Sequence, residues 1–405
     1  MKAQPVVQGL VTGVVGFASS FTVVLAGLRA VGADQEQAAS GLFALCLTMG
    51  VAAIVLSLRT RMPIACAWST PGAALLISTG HVSGGYAAAV GAFLVCGVLL
   101  TLAGLSGALG RLTAKIPPPV ASAMLAGIIL QLCLAPVRAA VDVPELAGPV
   151  IVTWLVLFRF ARLYAVPAAL IVAVVAVLID RPIHLGGNLL PHPVLTSPTF
   201  TAGALISIAI PLFIVTMASQ NIPGMTVLGS FGYRPKLPPL LFGTGAGSVV
   251  GSLFGGHAIN LAAITAVMAA GPDAGPDTTK RYQAAVSCGV LYLGIALSAS
   301  VAVAFVAAAP PVLVEAVAGL ALIVALGGAL QNAMADAHYR DAATVTFVTC
   351  ASGITAAGIG ASFWGLVAGL AFVSFQRAGA PAPSPPAPGP ASPPAVPVSP
   401  VARRG

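Results

Sequence analysis

Charge is what this chain has least of. Of its 405 residues only 7% are Asp, Glu, Lys or Arg, with ten acids against eighteen bases. So few charges cannot cover the surface of a water-soluble domain. There is also no cluster of Asp, Glu and His ligands. No HExxH, G-x-S-x-G or P-loop pattern occurs, so the common metalloprotease, hydrolase and ATP-driven classes lose their chemistry. Catalytic residues are therefore not expected. The six cysteines (Cys46, Cys66, Cys96, Cys133, Cys288, Cys350) stand singly in apolar segments, without CxxC or metal spacing. They read as small core residues, and neither a metal nor a cofactor is expected. A net charge of +8 would suggest nucleic acid in a soluble protein, but here the bases sit in short loops between apolar runs. Membrane topology explains them better, and no nucleic-acid partner is expected.

What the chain has in abundance is apolar length. It is 58% hydrophobic with a mean hydropathy of +1.00. Runs long enough to cross a hydrocarbon core of about 30 Å recur from Val6 to Phe375. Leu10 to Leu28 could imitate a signal peptide but is read as the first retained span, since no small-residue cleavage site followed by a soluble domain appears. The expected spans are 8–29, 38–58, 63–80, 84–106, 117–136, 146–159 and 163–180. A second set covers 201–229, 238–253, 255–271, 281–308, 310–334, 341–357 and 359–376. With the N-terminus cytoplasmic, fifteen Lys and Arg fall inside and only Arg29, Arg138 and Arg181 outside. That bias predicts both termini in the cytoplasm. From 378 to 405 a Pro/Ala/Ser tail lacks periodicity and is expected to be disordered.

The two sets resemble each other. "PPVASAMLAG" (118–127) matches "PPVLVEAVAG" (310–319), "FASS" (17–20) matches "MASQ" (217–220), and "PGAALLIS" (71–78) matches "INLAAITA" (259–266), at offsets of 192, 200 and 188. An odd number of spans per half places the second half inverted in the membrane. Inverted repeats are a signature of secondary transporters whose site lies near the midplane, among discontinuous helices. The fold expected is an all-α polytopic membrane protein of fourteen spans in a 7+7 inverted repeat, residues 5–180 and 201–376.

Two spans carry the breaks. In "RMPIACAWSTPGAALLISTG" (61–80), Pro71-Gly72 falls in mid-span after a β-favouring piece, and Ser69 or Thr70 can cap a half-helix beginning there. In "GSLFGGHAIN" (251–260) a glycine pair stops the helix, and the restart is expected near His257 to Asn260. Non-helical backbone at this depth persists only where it lines a cavity or is buried in protein. Two half-helix N-termini facing each other would attract an anion. The eighth span adds Ser219, Gln220 and Asn221 before Pro223-Gly224, and the first adds Ser19, Ser20, Phe21 and Thr22. The central stretches of these four spans contain no Asp, Glu, Lys or Arg. No permanent cation is available there to pair with an anionic substrate.

At these residues the sequence resembles the benzoate/proton symporter family: "AWSTPGAALL" (67–76), "TMASQNIPG" (216–224) and "FGGHAINLAAIT" (254–265) look like its most distinctive motifs. The family is related to the uracil/xanthine and sulfate transporters. The resemblance implies a core domain, residues 5–106 with 201–308, moving against a gate domain, residues 117–180 with 310–376. It also implies short strands with half-helices in spans 3 and 10. Nucleobase carriers of this fold hold ring N–H groups with carboxylates where this chain has Gln220 and His257. That departure suits a small aromatic carboxylate, which needs donors. The resemblance therefore implies benzoate or a similar acid entering with protons across a bacterial inner membrane; the residues alone support a small organic anion. An inorganic-anion or nucleobase carrier, or an anion channel, is the alternative. A homodimer is a candidate assembly.

The substrate-binding set expected is Ser19, Ser20, Phe21, Ser69, Thr70, Ser219, Gln220, Asn221, His257 and Asn260. A neutral imidazole is expected in the empty site, with anion and proton each favouring the other's binding, which makes His257 the coupling candidate. Its structural alternative is a histidine bonded to backbone at the break. Glu315, the only acid well inside an apolar span, is the second proton candidate.

Overall fold

The computed structural model describes residues 4–106, 116–180, 190–357 and 359–379. From residue 380 onward the Pro-rich tail lies outside the described residues. Among the described residues seven helices are long and apolar enough to cross a membrane, and an eighth if one bent pair counts as a single span.

The first span is two helices, α1 (Gln4–Ala18) and α2 (Phe21–Ala30). They part at Ser19 and Ser20, whose hydroxyls both reach back to the Gly16 carbonyl, at 3.1 and 3.4 Å. Such back-bonding competes with the helix ladder and loosens it. Helix α3 (Gln35–Thr60) opens on a capping box: Asp34 accepts from Gln37 N–H (2.8 Å) and Gln37 returns the favour to Asp34 N–H (3.0 Å). It stops at Arg61, which adopts the left-handed conformation (φ 55°). Strand β1 (Cys66–Trp68) then leads into α4 (Thr70–Thr79), with proline in its first turn. Helices α5 (Gly85–Ser106), α6 (Pro118–Asp142), α7 (Pro144–Phe160) and α8 (Ala165–Asp180) complete the first half.

The second half begins with α9 (Ala202–Ser230), a helix widened into π-turns at Leu205–Ala209 and Met217–Asn221. Each π-turn directly precedes a proline, Pro211 or Pro223, near the start of the following α-helical stretch. Proline lacks the N–H and crowds the carbonyl one turn back, and a wider turn relieves both. Helix α10 (Leu237–Ser252), strand β2 (Ile259–Leu261) and α11 (Ile264–Ala270) follow. Next come α12 (Tyr282–Ala296) and α13 (Ala299–Ala308), the pair bent by 62°. Then come α14 (Pro311–Met334), α15 (Arg340–Ala351), a hairpin of β3 (Thr355–Ala356) and β4 (Ile359–Gly360), and α16 (Ala361–Gly379).

Small residues let the helices close on one another. A Cβ on Gly50 of α3 would sit 2.8 Å from the Gly289 carbonyl of α12, and one on Gly289 would sit 2.7 Å from the Gly50 carbonyl. A Cβ on Gly319 of α14 would overlap the Leu132 carbonyl of α6. With no water to exclude inside a membrane, such backbone contact supplies the van der Waals packing that holds helices together. All six cysteines are free and buried, and among the described residues no cluster could hold a metal.

Candidate substrate site

The two interrupted spans meet as a ribbon. Strands β1 and β2 pair antiparallel, with Cys66 opposite Leu261, Ala67 opposite Asn260 and Trp68 opposite Ile259. The ladder continues at both ends: Ser69 N–H donates to Ala258 O, and Ala262 N–H to Ala65 O, each at 2.9 Å. Backbone groups released where the helices stop thus satisfy each other across the two halves of the chain.

The second half-helix starts later than the sequence suggests. It begins at Ile264, because Ile259 to Leu261 are committed to the ribbon. His257 and Asn260 therefore precede the helix rather than open it. The half-helix ends do not abut either. They lie at opposite ends of the ribbon, separated by four residues of strand, on the order of 13 Å.

Several expected ligands are committed to structure. Ser69 caps α4 by accepting from Gly72 N–H (3.1 Å) and lies 2.8 Å from the Thr216 hydroxyl of α9, fully buried. Oriented so that both ends of its amide find a complementary partner, Asn260 accepts from Ser69 N–H (3.1 Å) and donates to the Leu261 carbonyl (2.8 Å). Asn221 accepts from Leu261 N–H (3.0 Å) and donates to the Met217 sulfur (3.5 Å), pinning the π-turn to β2. Ser219 bonds back to Val215 O at 2.5 Å. Thr70 and Gln220 differ: both are half-buried, and neither side chain makes a hydrogen bond among the described residues.

The break in the first span lies alongside. The Trp68 indole donates to the Ser20 hydroxyl at 2.9 Å. Phe17 stacks on Phe21, ring centroids 5.0 Å apart and 3° from parallel, and meets Trp68 edge-on at 5.7 Å. Phe21 is buried, whereas Phe17 keeps part of its ring accessible. Phe17 and Trp68 are absent from the expected set. The spacing of Phe17 and Phe21, four residues apart across the serine break, was the available signal.

His257 is fully buried. Its Nδ1 accepts from Ala258 N–H at 2.6 Å, its Nε2 has no partner among the described residues, and its ring meets Phe93 of α5 edge-on at 6.3 Å. Glu315 stands apart from this group. It is exposed on the second turn of α14, while its neighbours Leu313, Val314, Ala316 and Val317 are buried. The structure therefore brings the expected residues of spans 1, 3, 8 and 10 together around one ribbon and leaves Glu315 outside it. Elsewhere, an apolar crevice lined by Thr22, Phe305 and Leu313 has no room for a water molecule.

A broken-helix pair of this kind is a transporter's architecture, and the comparisons with known proteins agree. The family model described as benzoate membrane transport protein matches residues 1–375. The chain belongs to that family. It is a membrane transporter and not an enzyme. Among relatives, the Inner membrane protein YdcO of Escherichia coli is 39% identical over 364 residues, covering 89% of this chain and 93% of that protein. The Benzoate membrane transport protein of Acinetobacter baylyi is 29% identical over 368 residues, covering 90% and 93%. Among solved structures, the transmembrane domain of a cyanobacterial bicarbonate transporter, BicA, aligns with a TM-score of 0.57 at 18% identity, covering 91% of this chain and 98% of that one. A murine Solute Carrier 26 family member A9 anion transporter in the inward-facing state gives 0.59 at 14% identity, covering 92% and 68%. These two likenesses show the fold.

Proposed function

We propose that this family member imports benzoate or a similar aromatic carboxylate together with protons across a bacterial inner membrane. The observation that carries the reading is that one ribbon gathers elements bearing unspent donors and an accessible ring: Thr70 follows β1, Gln220 adjoins the Asn221 that holds β2, and Phe17 meets Trp68 of β1 edge-on. The carboxylate would take hydrogen bonds from the two side chains, and the aromatic ring would stack on Phe17.

Coupling is assigned to His257, the only histidine in spans 1, 3, 8 and 10. Its Nδ1 is an acceptor for Ala258 N–H, and the Ala258 carbonyl holds Ser69 N–H. Protonation turns that acceptor into a donor, so the Ala258 N–H must leave, at the residue that ties the two interrupted spans. Proton arrival is thereby linked to ribbon geometry and so to the anion.

The proposed architecture is fourteen spans in two inverted repeats, with residues 5–106 and 201–308 as a core rocking against a gate of 117–180 and 310–376, and both termini cytoplasmic. Packing that exchanges between halves supports it. Helix α5 packs on α10 as α3 packs on α12, α6 packs on its counterpart α14, and β1 pairs with its counterpart β2.

The test is uptake of labelled benzoate into proteoliposomes. One proton with one monoanion moves no net charge, so a pH gradient should drive accumulation and voltage should not. Accumulation driven by potential alone at equal pH rejects that stoichiometry. Competition by sulfate or bicarbonate instead of aromatic acids would favour an inorganic-anion carrier, and competition by uracil a nucleobase carrier. Conductance without uphill uptake would favour a channel.

A further inference from the structure

The connection between α7 and α8 reads "FRFARLY" (158–164), and it carries two arginines. Arg159 lies over the Phe160 ring at 5.5 Å and Arg162 over the Phe158 ring at 4.6 Å. Phe158 is itself held by stacking on Trp154, centroids 4.8 Å apart. Both arginines are exposed, and among the described residues neither makes an ion pair or a hydrogen bond. A short 3-10 turn, Arg162–Tyr164, returns the chain so that both guanidinium groups serve the same end of the helix pair. Stacking on an aromatic face leaves the N–H edge of a guanidinium free, and that edge matches a phosphate bidentately.

The surroundings identify the source of the phosphate. Phe160 is 78% exposed and Tyr164 50%, while the outer faces of α7 and α8 present Val152 at 59%, Ile171 at 63% and Ile179 at 82%. Aromatic side chains at a helix end, above a bare aliphatic face, mark the boundary between lipid tails and headgroups. No acid lies between Trp154 and Ile179, so nothing in this stretch competes for the arginines. We infer that Arg159 and Arg162 form a clamp for the phosphodiester of an anionic phospholipid whose acyl chains lie along α7 and α8.

The experiment uses the purified full chain in neutral detergent, with phosphatidylglycerol and phosphatidylcholine of matched chains offered at equal concentration. Native mass spectrometry reads retention, and thermal unfolding reads protection. Phosphatidylglycerol should be retained and protective, phosphatidylcholine much less so, and added salt should shrink the difference. The R159Q/R162Q double variant should bind phosphatidylglycerol roughly thirtyfold more weakly, from about 1 kcal/mol per basic residue near an anionic lipid. Its unfolding temperature in phosphatidylcholine should match the parent. An R159K/R162K variant should recover part of the preference, since it keeps the charge and loses the fork. Equal retention of the two lipids by the parent overturns the clamp, as does an unchanged preference in the double variant. Protection by inorganic phosphate as strong as that by phosphatidylglycerol would assign the arginines to a soluble anion and reject the lipid. Should the double variant not fold, the parent's lipid and salt dependence alone decides.

Discussion

Asn221 and Gln220 are adjacent amides in one π-turn, yet the structure gives them opposite tasks. The Asn221 side chain is fully buried and supplies the acceptor for Leu261 N–H at 3.0 Å. Truncation by Asn221→Ala leaves that buried N–H unsatisfied, which costs about 1–3 kcal/mol. The loss falls on the tie between α9 and β2, so stability should drop while intrinsic benzoate affinity changes little in the fraction that remains folded. Gln220 is half-buried and makes no hydrogen bond among the described residues. Gln220→Ala should leave stability within about 0.5 kcal/mol, as for a side chain with no structural partner. If its amide donates to the carboxylate, one hydrogen bond to a charged group is lost, about 1.5–3 kcal/mol or roughly tenfold to a hundredfold in affinity. The assay is paired: denaturant unfolding of both variants in detergent, and benzoate binding by calorimetry under identical conditions. A stable Asn221→Ala protein that has lost affinity, or a destabilised Gln220→Ala protein that binds normally, would show that the two roles have been exchanged and refute the reasoning.

His257→Gln should abolish accumulation driven by a pH gradient while benzoate exchange at equal pH survives, because a glutamine cannot change charge; counterflow in proteoliposomes separates the two. Phe17→Ala removes a stacking partner worth about 0.5–1.5 kcal/mol, so benzoate affinity should fall roughly twofold to tenfold while a non-aromatic carboxylate is affected less; equal losses for both would remove Phe17 from ring recognition. Gly319→Val drives a side chain into the Leu132 carbonyl and to within 2.8 Å of Pro136 Cδ, so overpacking should destabilise the α6–α14 contact by about 1–3 kcal/mol, read by thermal unfolding. Glu315→Gln, exposed and away from the ribbon, should leave proton-driven uptake unchanged, and a loss of coupling would restore it as a proton carrier.

The breaks in spans 3 and 10 were legible because they have chemical causes visible in one dimension. Pro71 marks the start of α4, whereas the gap between α1 and α2 at Ser19-Ser20 was not expected, those serines having been read only as polar residues of a continuous span. A histidine after two glycines cannot belong to a helix interior that gains anything from it. The restart of the tenth span was misplaced because strand pairing is non-local. Nothing in "HAINLAAIT" reveals that β1, nearly two hundred positions earlier, claims Ile259 to Leu261. The allocation of side chains was hidden for the same reason. Asn221 and Asn260 look like donors awaiting a ligand until the Leu261 and Ser69 N–H groups they satisfy are placed beside them. The π-turns could have been suspected from Pro211 and Pro223, but proline alone does not distinguish a kink from a widened turn.

Transport on the proposed mechanism needs a site that releases what it binds, and the lack of permanent charge serves that need. A lysine among Thr70, Gln220 and Phe17 would pair with benzoate, but the emptied carrier would then have to cross carrying an isolated cation, which a low-dielectric interior penalises heavily. A histidine avoids this. With His257 neutral, the empty ribbon crosses uncharged, and with proton and anion both aboard it crosses as a neutral pair. The half-loaded states hold one uncompensated charge each. Those states are the ones that would waste the gradient, by carrying a proton or an anion alone, and the same electrostatic penalty that excludes a lysine disfavours them. Tight coupling then follows from the absence of any other charge in the central stretches of spans 1, 3, 8 and 10. Placing a lysine at Gln220 should therefore raise benzoate affinity while slowing net uptake, and a faster carrier would contradict the argument.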